Sequence, residues 1–248
     1  MDLTPPTSRI IRVLEADPGL ADGLDDEELR VLLPTAVARV QIVEPGEWAP
    51  PEDPQPHRDH IGLLVVRGLV TRTLSVDGRD FTELLGDGDL LRPWQESESW
   101  PSVRTERRWH MLTRSELGVL DGRFAMAIGG SPRVQAAIVA RAVARSRALA
   151  FYLAVSHIRR VEQRLLVMLW HFAERWGRVG PQGVVLGVRL THETLGRVVG
   201  ARRPTVTTAL TQLMEQGLVS RTPDRRLILH GDPPRGLHGV ALTQAASS

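Results

Sequence analysis

Between Thr191 and Gly217 the chain reads T-H-E-T-L-G-R-V-V-G-A-R-R-P-T-V-T-T-A-L-T-Q-L-M-E-Q-G, so guanidinium and hydroxyl groups recur at helical spacing. Arg202, Arg203, Thr205, Thr207 and Thr208 can each donate hydrogen bonds to anionic oxygens or to the edges of bases. The apolar residues between them decide which way those donors face. Thr191 is a polar N-cap, and Leu195, Val198 and Val199 form the inner side of a short helix. Gly200 supplies a tight turn, after which Val206, Leu210 and Leu213 bury one side of a second helix. Two helices joined by a short glycine-containing turn form a helix-turn-helix, whose second helix is shaped for a DNA major groove. An ordinary helical hairpin with a solvated polar face is the alternative.

Charge is segregated along the chain. Residues 1–130 hold 14 Arg against 23 Asp and Glu, a net of −9, whereas residues 131–248 hold 17 Arg against 6 acids, a net of +11. A basic half carrying such a motif is the footprint of a phosphate-backbone binder. The acidic half argues against a chain that coats nucleic acid along its whole length.

At 248 residues the chain suits two domains, each with its own core. No window approaches 18 uninterrupted apolar residues, so no membrane-spanning helix is expected. The polar, proline-rich amino terminus does not read as a secretory signal, which makes a cytoplasmic protein the expectation. The chain has no Cys and no Lys. Disulfides, iron–sulfur clusters, zinc–thiolate sites and Cys nucleophiles are thereby excluded, as are Schiff bases and the P-loop lysine. No HExxH, GxSxG or glycine-rich phosphate loop occurs, so no enzyme and no cofactor are expected. His57-x-x-His60 lacks a clear third metal ligand and reads as a solvated pair. Nothing supports haem at His110 or His157.

Several elements must position the donor row. Residues 8–33 read as helical, with acids at Asp25–Glu28 in a first turn. From Val37 the period becomes two, Glu44–Glu47 turns, and residues 49–59 form a proline-rich acidic loop. Short strands then follow at Ile61–Val66, Leu69–Val76, Phe81–Leu85 and about Val103–Leu112, separated by glycine turns. This pattern suggests a double-sheet β-roll, with Ser115–Asp121 expected as a short helix leaving it. Ser131-Pro132 opens a long helix over 133–157. Ile138, Ala142, Leu149 and Tyr152 lie on one stripe and Val139, Val143, Ala150 and Leu153 beside it. The stripe suits subunit pairing, although Arg145 interrupts it, and packing within one chain is the alternative. A second helix is expected at Val161–Trp176 and a strand at 184–188. Leu218–Arg221 and Arg226–Leu229 flank Pro223-Asp224 as a wing. Residues 231–248 read as a disordered tail.

This order of elements, together with L-T-H-E-T-L-G-R-V-V-G-A-R-R-P-T-V-T-T-A-L at Leu190–Leu210 and V-E-Q-R-L-L-V-M-L-W-H-F-A-E-R-W-G-R-V at Val161–Val179, resembles the catabolite-activator/FNR superfamily of bacterial transcription regulators. The likeness spans roughly residues 20–230. It implies an α+β fold in three parts. A cyclic-nucleotide-binding-like jelly roll (1–130) leads through a dimerisation helix (131–157) to a winged helix-turn-helix (158–230), with the tail at 231–248. It also implies a homodimer on a pseudo-palindromic double-stranded operator, with RNA polymerase as a further candidate partner.

In that family an arginine, a glutamate and, four residues later, a second arginine read bases. Here those positions hold Arg203, Pro204 and Thr208, so a different operator is implied. The expected base contacts are Arg203, Thr207 and Thr208. The expected phosphate contacts are Thr191, His192, Arg202, Thr205, Arg221, Arg225 and Arg226. The cyclic-nucleotide signature departs as well. Gly88-Asp89-Leu90-Leu91 runs into Arg92-Pro93-Trp94, and residues 97–103 read S-E-S-W-P-S-V with no phosphate-gripping arginine. The carboxylate and guanidinium that clasp cyclic AMP are missing, so cyclic AMP is not the expected effector. Arg92, Trp94, Trp100 and Arg104 near the usual pocket suit another anion or aromatic molecule, or a pocket filled by its own side chains. A ligand sensor whose winged helix binds protein instead of DNA is the second functional reading.

Overall fold

A computed structural model describes residues 9–50, 60–94 and 103–234. Trp100, residues 51–59 of the proline-rich loop and the tail from 235 onward lie outside the described residues. The chain divides into two compact units, Met1–Leu149 and Ala150–Ser248.

The first unit is a two-sheet roll with helices on its outer side. It begins with β1 (Arg9–Arg12), the single turn α1 (Val13–Ala16) and α2 (Asp26–Leu32). Strands β2 (Val37–Val43), β3 (Gly46–Trp48), β4 (Gly62–Arg67), β5 (Leu69–Val76) and β6 (Arg79–Gly86) follow. Then come β7 (Leu90–Leu91), β8 (Thr105–Met111), β9 (Ser115–Leu120), α3 (Gly122–Ala127) and α4 (Pro132–Ser156), whose residues from Ala150 onward belong to the second unit. One sheet has the order β1-β2-β9-β4-β7 and the other β3-β8-β5-β6, with all neighbours antiparallel.

Alternation along each strand separates two cores. Leu63, Val65, Leu91 and Leu117 of the first sheet meet Trp48, Val70, Leu85, Trp109 and Met111 of the second, closing the interior between them. Trp48 and Trp109 are register partners and stack edge-on at 6.0 Å. The outer face of the first sheet carries Ile11, Val40, Leu64 and Leu120 against Leu14, Leu32, Phe124 and Val134 of the helices. In α2 the acidic start is a complete capping box: Asp25 accepts from the Glu28 amide, and the Glu28 carboxylate accepts from the Asp25 amide.

Two expectations are corrected. Residues 9–12 form a strand, because Ile11 is buried and the segment completes the sheet edge against β2. Ser115–Leu120 is a strand as well, not a helix, and it is central, paired on both sides with β2 and β4. Ser115, Leu117 and Leu120 are buried at that position. The short helix starts one element later, where the Asp121 carboxylate accepts from the amides of Arg123 and Phe124.

Along α4 the apolar residues divide by direction. Val134 and Tyr152 are buried and Ile138 is half-buried, whereas Val139, Val143 and Leu153 are 61%, 45% and 63% exposed. Ala136, Val139, Val143, Ser146, Ala150 and Leu153 stand exposed at alternating three- and four-residue spacing. Arg145 lies on the other stripe, with Ile138 and Tyr152, and turns its guanidinium to Glu83 of β6, so the exposed seam is the stripe beside the one it interrupts.

In the second unit, α5 (Val161–Trp176) buries Leu165, Leu166, Met168, Leu169, Trp170 and Phe172. A hairpin of β10 (Gly177–Gly180) and β11 (Gly183–Leu186) follows, then α6 (His192–Val199), α7 (Arg203–Glu215), β12 (Val219–Arg221) and β13 (Leu227–Leu229). The strands form one sheet ordered β10-β11-β13-β12, so the wing is anchored to the hairpin that precedes the paired helices. Among the described residues no helix is long and apolar enough to cross a membrane.

Candidate nucleic-acid interface

Local chemistry fixes both helices of the motif. The Thr191 hydroxyl accepts from the Thr194 amide at 3.0 Å and caps α6. Gly200 closes α6 at φ 65°, ψ 44°, a left-handed conformation that costs glycine nothing. Arg202 is the N-cap residue of α7, with Pro204 in its first turn, where a missing N–H has no helical partner to lose. Leu195, Val198 and Val199 of α6 are buried, as are Val206, Ala209, Leu210 and Leu213 of α7. With that side of α7 sealed, Arg202, Arg203, Pro204, Thr205, Thr207 and Thr208 are all exposed.

The hydroxyls in this row are already ordered by the protein. Thr207 Oγ1 donates to the Arg203 carbonyl at 3.0 Å, and Thr208 Oγ1 to the Pro204 carbonyl at 3.3 Å. Their outward lone pairs remain as acceptors. His192 Nδ1 lies 2.8 Å from Thr207 Oγ1, and His192 Nε2 lies 2.6 Å from Arg221 Nη2. Burial, then the guanidiniums of Arg221 and Arg203, push the His192 pKa below its ordinary value.

The wing adds a second set of charges. Arg221 ends β12 exposed, and Arg225 is exposed at the turn with φ 65°. Arg226 differs: it is half-buried, with Nε 2.8 Å from Asp224 Oδ2. Asp224 also lies 3.6 Å from Arg189. A hydrogen bond from Thr222, with Arg226 and Arg189 nearby, holds the Asp224 carboxyl below the usual carboxylate range. Between α6, α7 and the wing lies a cleft of about 520 Å³, lined by Arg189, Thr191, His192, Arg203, Arg221 and Arg225 among others. Sequence reasoning missed Arg189, which stands two residues before the N-cap, and missed that Asp224 engages Arg226.

The expected effector residues are only partly brought together. Arg92 Nη2 donates to the His60 carbonyl at 3.3 Å, and the His60 ring stacks edge-on with Trp94 at 6.3 Å. Trp94 packs on the tryptophan core between the sheets. Arg104 is almost fully exposed and lies 4.0 Å from Glu106. Trp100 and His57 are outside the described residues. Among the described residues no group of three His, Asp or Glu could hold a metal ion.

Comparison with known proteins agrees with this geometry. Residues 163–235 match the Crp-like helix-turn-helix domain. No curated protein matches the chain in sequence. Among solved structures, a mutant of CooA from Carboxydothermus hydrogenoformans is similar at TM-score 0.61 and 20% identity, over 77% of this chain and 83% of that one. FixK2 from Bradyrhizobium japonicum is similar at TM-score 0.58 and 16% identity, over 78% and 93%. The c-di-GMP-responsive regulator CLP from Xanthomonas campestris is similar at TM-score 0.57 and 18% identity, over 84% and 100%. At these identities the likeness to solved structures is one of fold.

Proposed function

We propose that the chain is a member of the catabolite-activator/FNR superfamily and a homodimeric, sequence-specific DNA-binding transcription regulator, a reading supported by its Crp-like helix-turn-helix domain and its likeness of fold. The observation that carries this reading is the exposed row Arg202, Arg203, Thr205, Thr207 and Thr208 on a helix whose other side is sealed, flanked by Arg221 and Arg225 of the wing. Arg203 is the principal base reader, since a guanidinium at the start of the helix can fork onto the two acceptors of guanine. Thr207 and Thr208 meet base edges as acceptors. Thr191, Arg202, Thr205, Arg221 and Arg225 hold phosphates, with His192 positioning Arg221 and Thr207 beside them. Arg226 braces the wing through Asp224 and contributes to phosphate binding through the local field.

The exposed seam of α4 pairs two copies by its three- and four-residue spacing, setting two recognition helices about 34 Å apart on a pseudo-palindrome. Cyclic AMP is not the effector. RNA polymerase is a partner of the DNA-bound dimer. The chain acts in the cytoplasm and catalyses no reaction.

A salt titration tests the reading against a protein-interaction module. Binding of the purified chain to a labelled duplex should fall log-linearly with salt, each neutralised phosphate contributing a slope of about −0.9. A flat response would leave the protein-interaction reading.

A further inference from the structure

We propose that Glu83 is a built-in counter-ion that seats α4 on the roll, so that the regulator binds DNA without an anionic effector. This rests on the DNA-binding reading above. Glu83 of β6 is 3% exposed. Arg145 of α4 grips it with both arms of its fork, Nη2 to Oε1 at 2.6 Å and Nε to Oε2 at 3.2 Å. Arg72 of β5 reaches the same Oε1 at 2.6 Å, with its guanidinium 5.9 Å from the Trp109 ring centre. The remaining Arg145 arm donates to the Leu90 carbonyl at 3.1 Å. One turn earlier, Arg141 donates to Asp17 at 2.8 Å. It passes Gly19 and Gly88, where an added Cβ would stand 2.6 and 2.7 Å from its guanidinium.

A guanidinium moved out of water needs a counter-charge, and one left without it is strongly destabilising. The helix presses two of them toward the roll within one turn, and the chain supplies both carboxylates. Apolar contact alone would let a helix slide, whereas a forked arginine–carboxylate pair fixes direction as well as distance. Glu83 thereby satisfies the guanidiniums that would otherwise draw in a carboxylate or phosphate. An anionic effector would have to displace it.

The test uses the purified full-length chain with Glu83→Ala and Arg145→Gln, read by backbone hydrogen exchange over residues 138–149 and by affinity for a selected operator. Wild type should be protected and bind with no added small molecule. Glu83→Ala should lose protection there and lose operator affinity about tenfold, the usual scale of coupling between sites. Acetate, compared with chloride at equal ionic strength, should restore both by entering the vacated place. Arg145→Gln keeps the Glu83–Arg72 pair and so the folded roll, but should loosen the helix with no acetate response. The proposal is overturned if both variants exchange like wild type, or if acetate restores no more than chloride. A protected wild type that selects no DNA sequence would overturn the DNA-binding reading and leave the seat intact.

Discussion

Arg221 of the wing places Nη2 2.6 Å from Nε2 of His192, and the opposite ring nitrogen lies 2.8 Å from Thr207 on the recognition helix. A guanidinium only donates, so Nε2 accepts and the neutral ring carries its proton on Nδ1. Nδ1 then donates to Thr207, whose own proton goes to the Arg203 carbonyl. One imidazole thus joins wing, first helix and recognition helix through a chain of donors running in one direction.

That chain has a pH signature. The folded His192 pKa lies below 6.5, so as pH falls the unfolded ring takes up its proton first. The stability it contributes is full above the unfolded value and is lost as pH falls from there toward the folded value. His171 is also shifted down, chiefly by burial, but contributes equally to both proteins compared. Melting temperatures between about pH 7.5 and about pH 5 should therefore fall further for wild type than for His192→Gln, which has no titrating ring. Parallel curves would contradict the donor chain.

Arg203 and Arg202 are neighbours with different tasks. Arg203→Ala should cost about 1–3 kcal/mol on the preferred operator and relax one base position in each half-site. Arg202→Ala should weaken all duplexes alike and reduce the salt slope by about one. Competition binding against single-base operator variants separates the two outcomes.

Thr191 holds the start of α6 by accepting from the Thr194 amide. Thr191→Ala should lower stability by about 1 kcal/mol, read by chemical denaturation. Thr191→Ser, which keeps the hydroxyl, should retain most of it.

The exposed seam of α4 predicts a separable loss of assembly. Val143→Glu or Leu153→Glu changes a residue exposed in the single chain, so the fold should persist by circular dichroism. Sedimentation should shift from dimer toward monomer, and operator affinity should fall with it. A dimer unaffected by both changes would move the subunit contact elsewhere.

Much of the architecture was legible because period and turn chemistry agree locally. The bounds of α5 follow from its apolar spacing, and the paired helices follow from Thr191, Gly200 and the buried leucines and valines. Ser115–Leu120 was misread because a short apolar run does not distinguish strand from helix. Its character comes from β2 and β4 on either side. Arg145 read as a defect in a heptad because its partner, Glu83, lies 62 positions earlier. The His192–Arg221 contact spans 29 positions and arises only when the wing folds back. Interactions of that range leave no local signal.

Selection of bound sequences from a random duplex pool by the purified chain tests the central claim most directly. The account predicts enrichment of a two-fold-related site with half-sites about 10–10.5 base pairs apart, weakened at one position per half by Arg203→Ala. A pool that emerges unenriched at moderate ionic strength would contradict it.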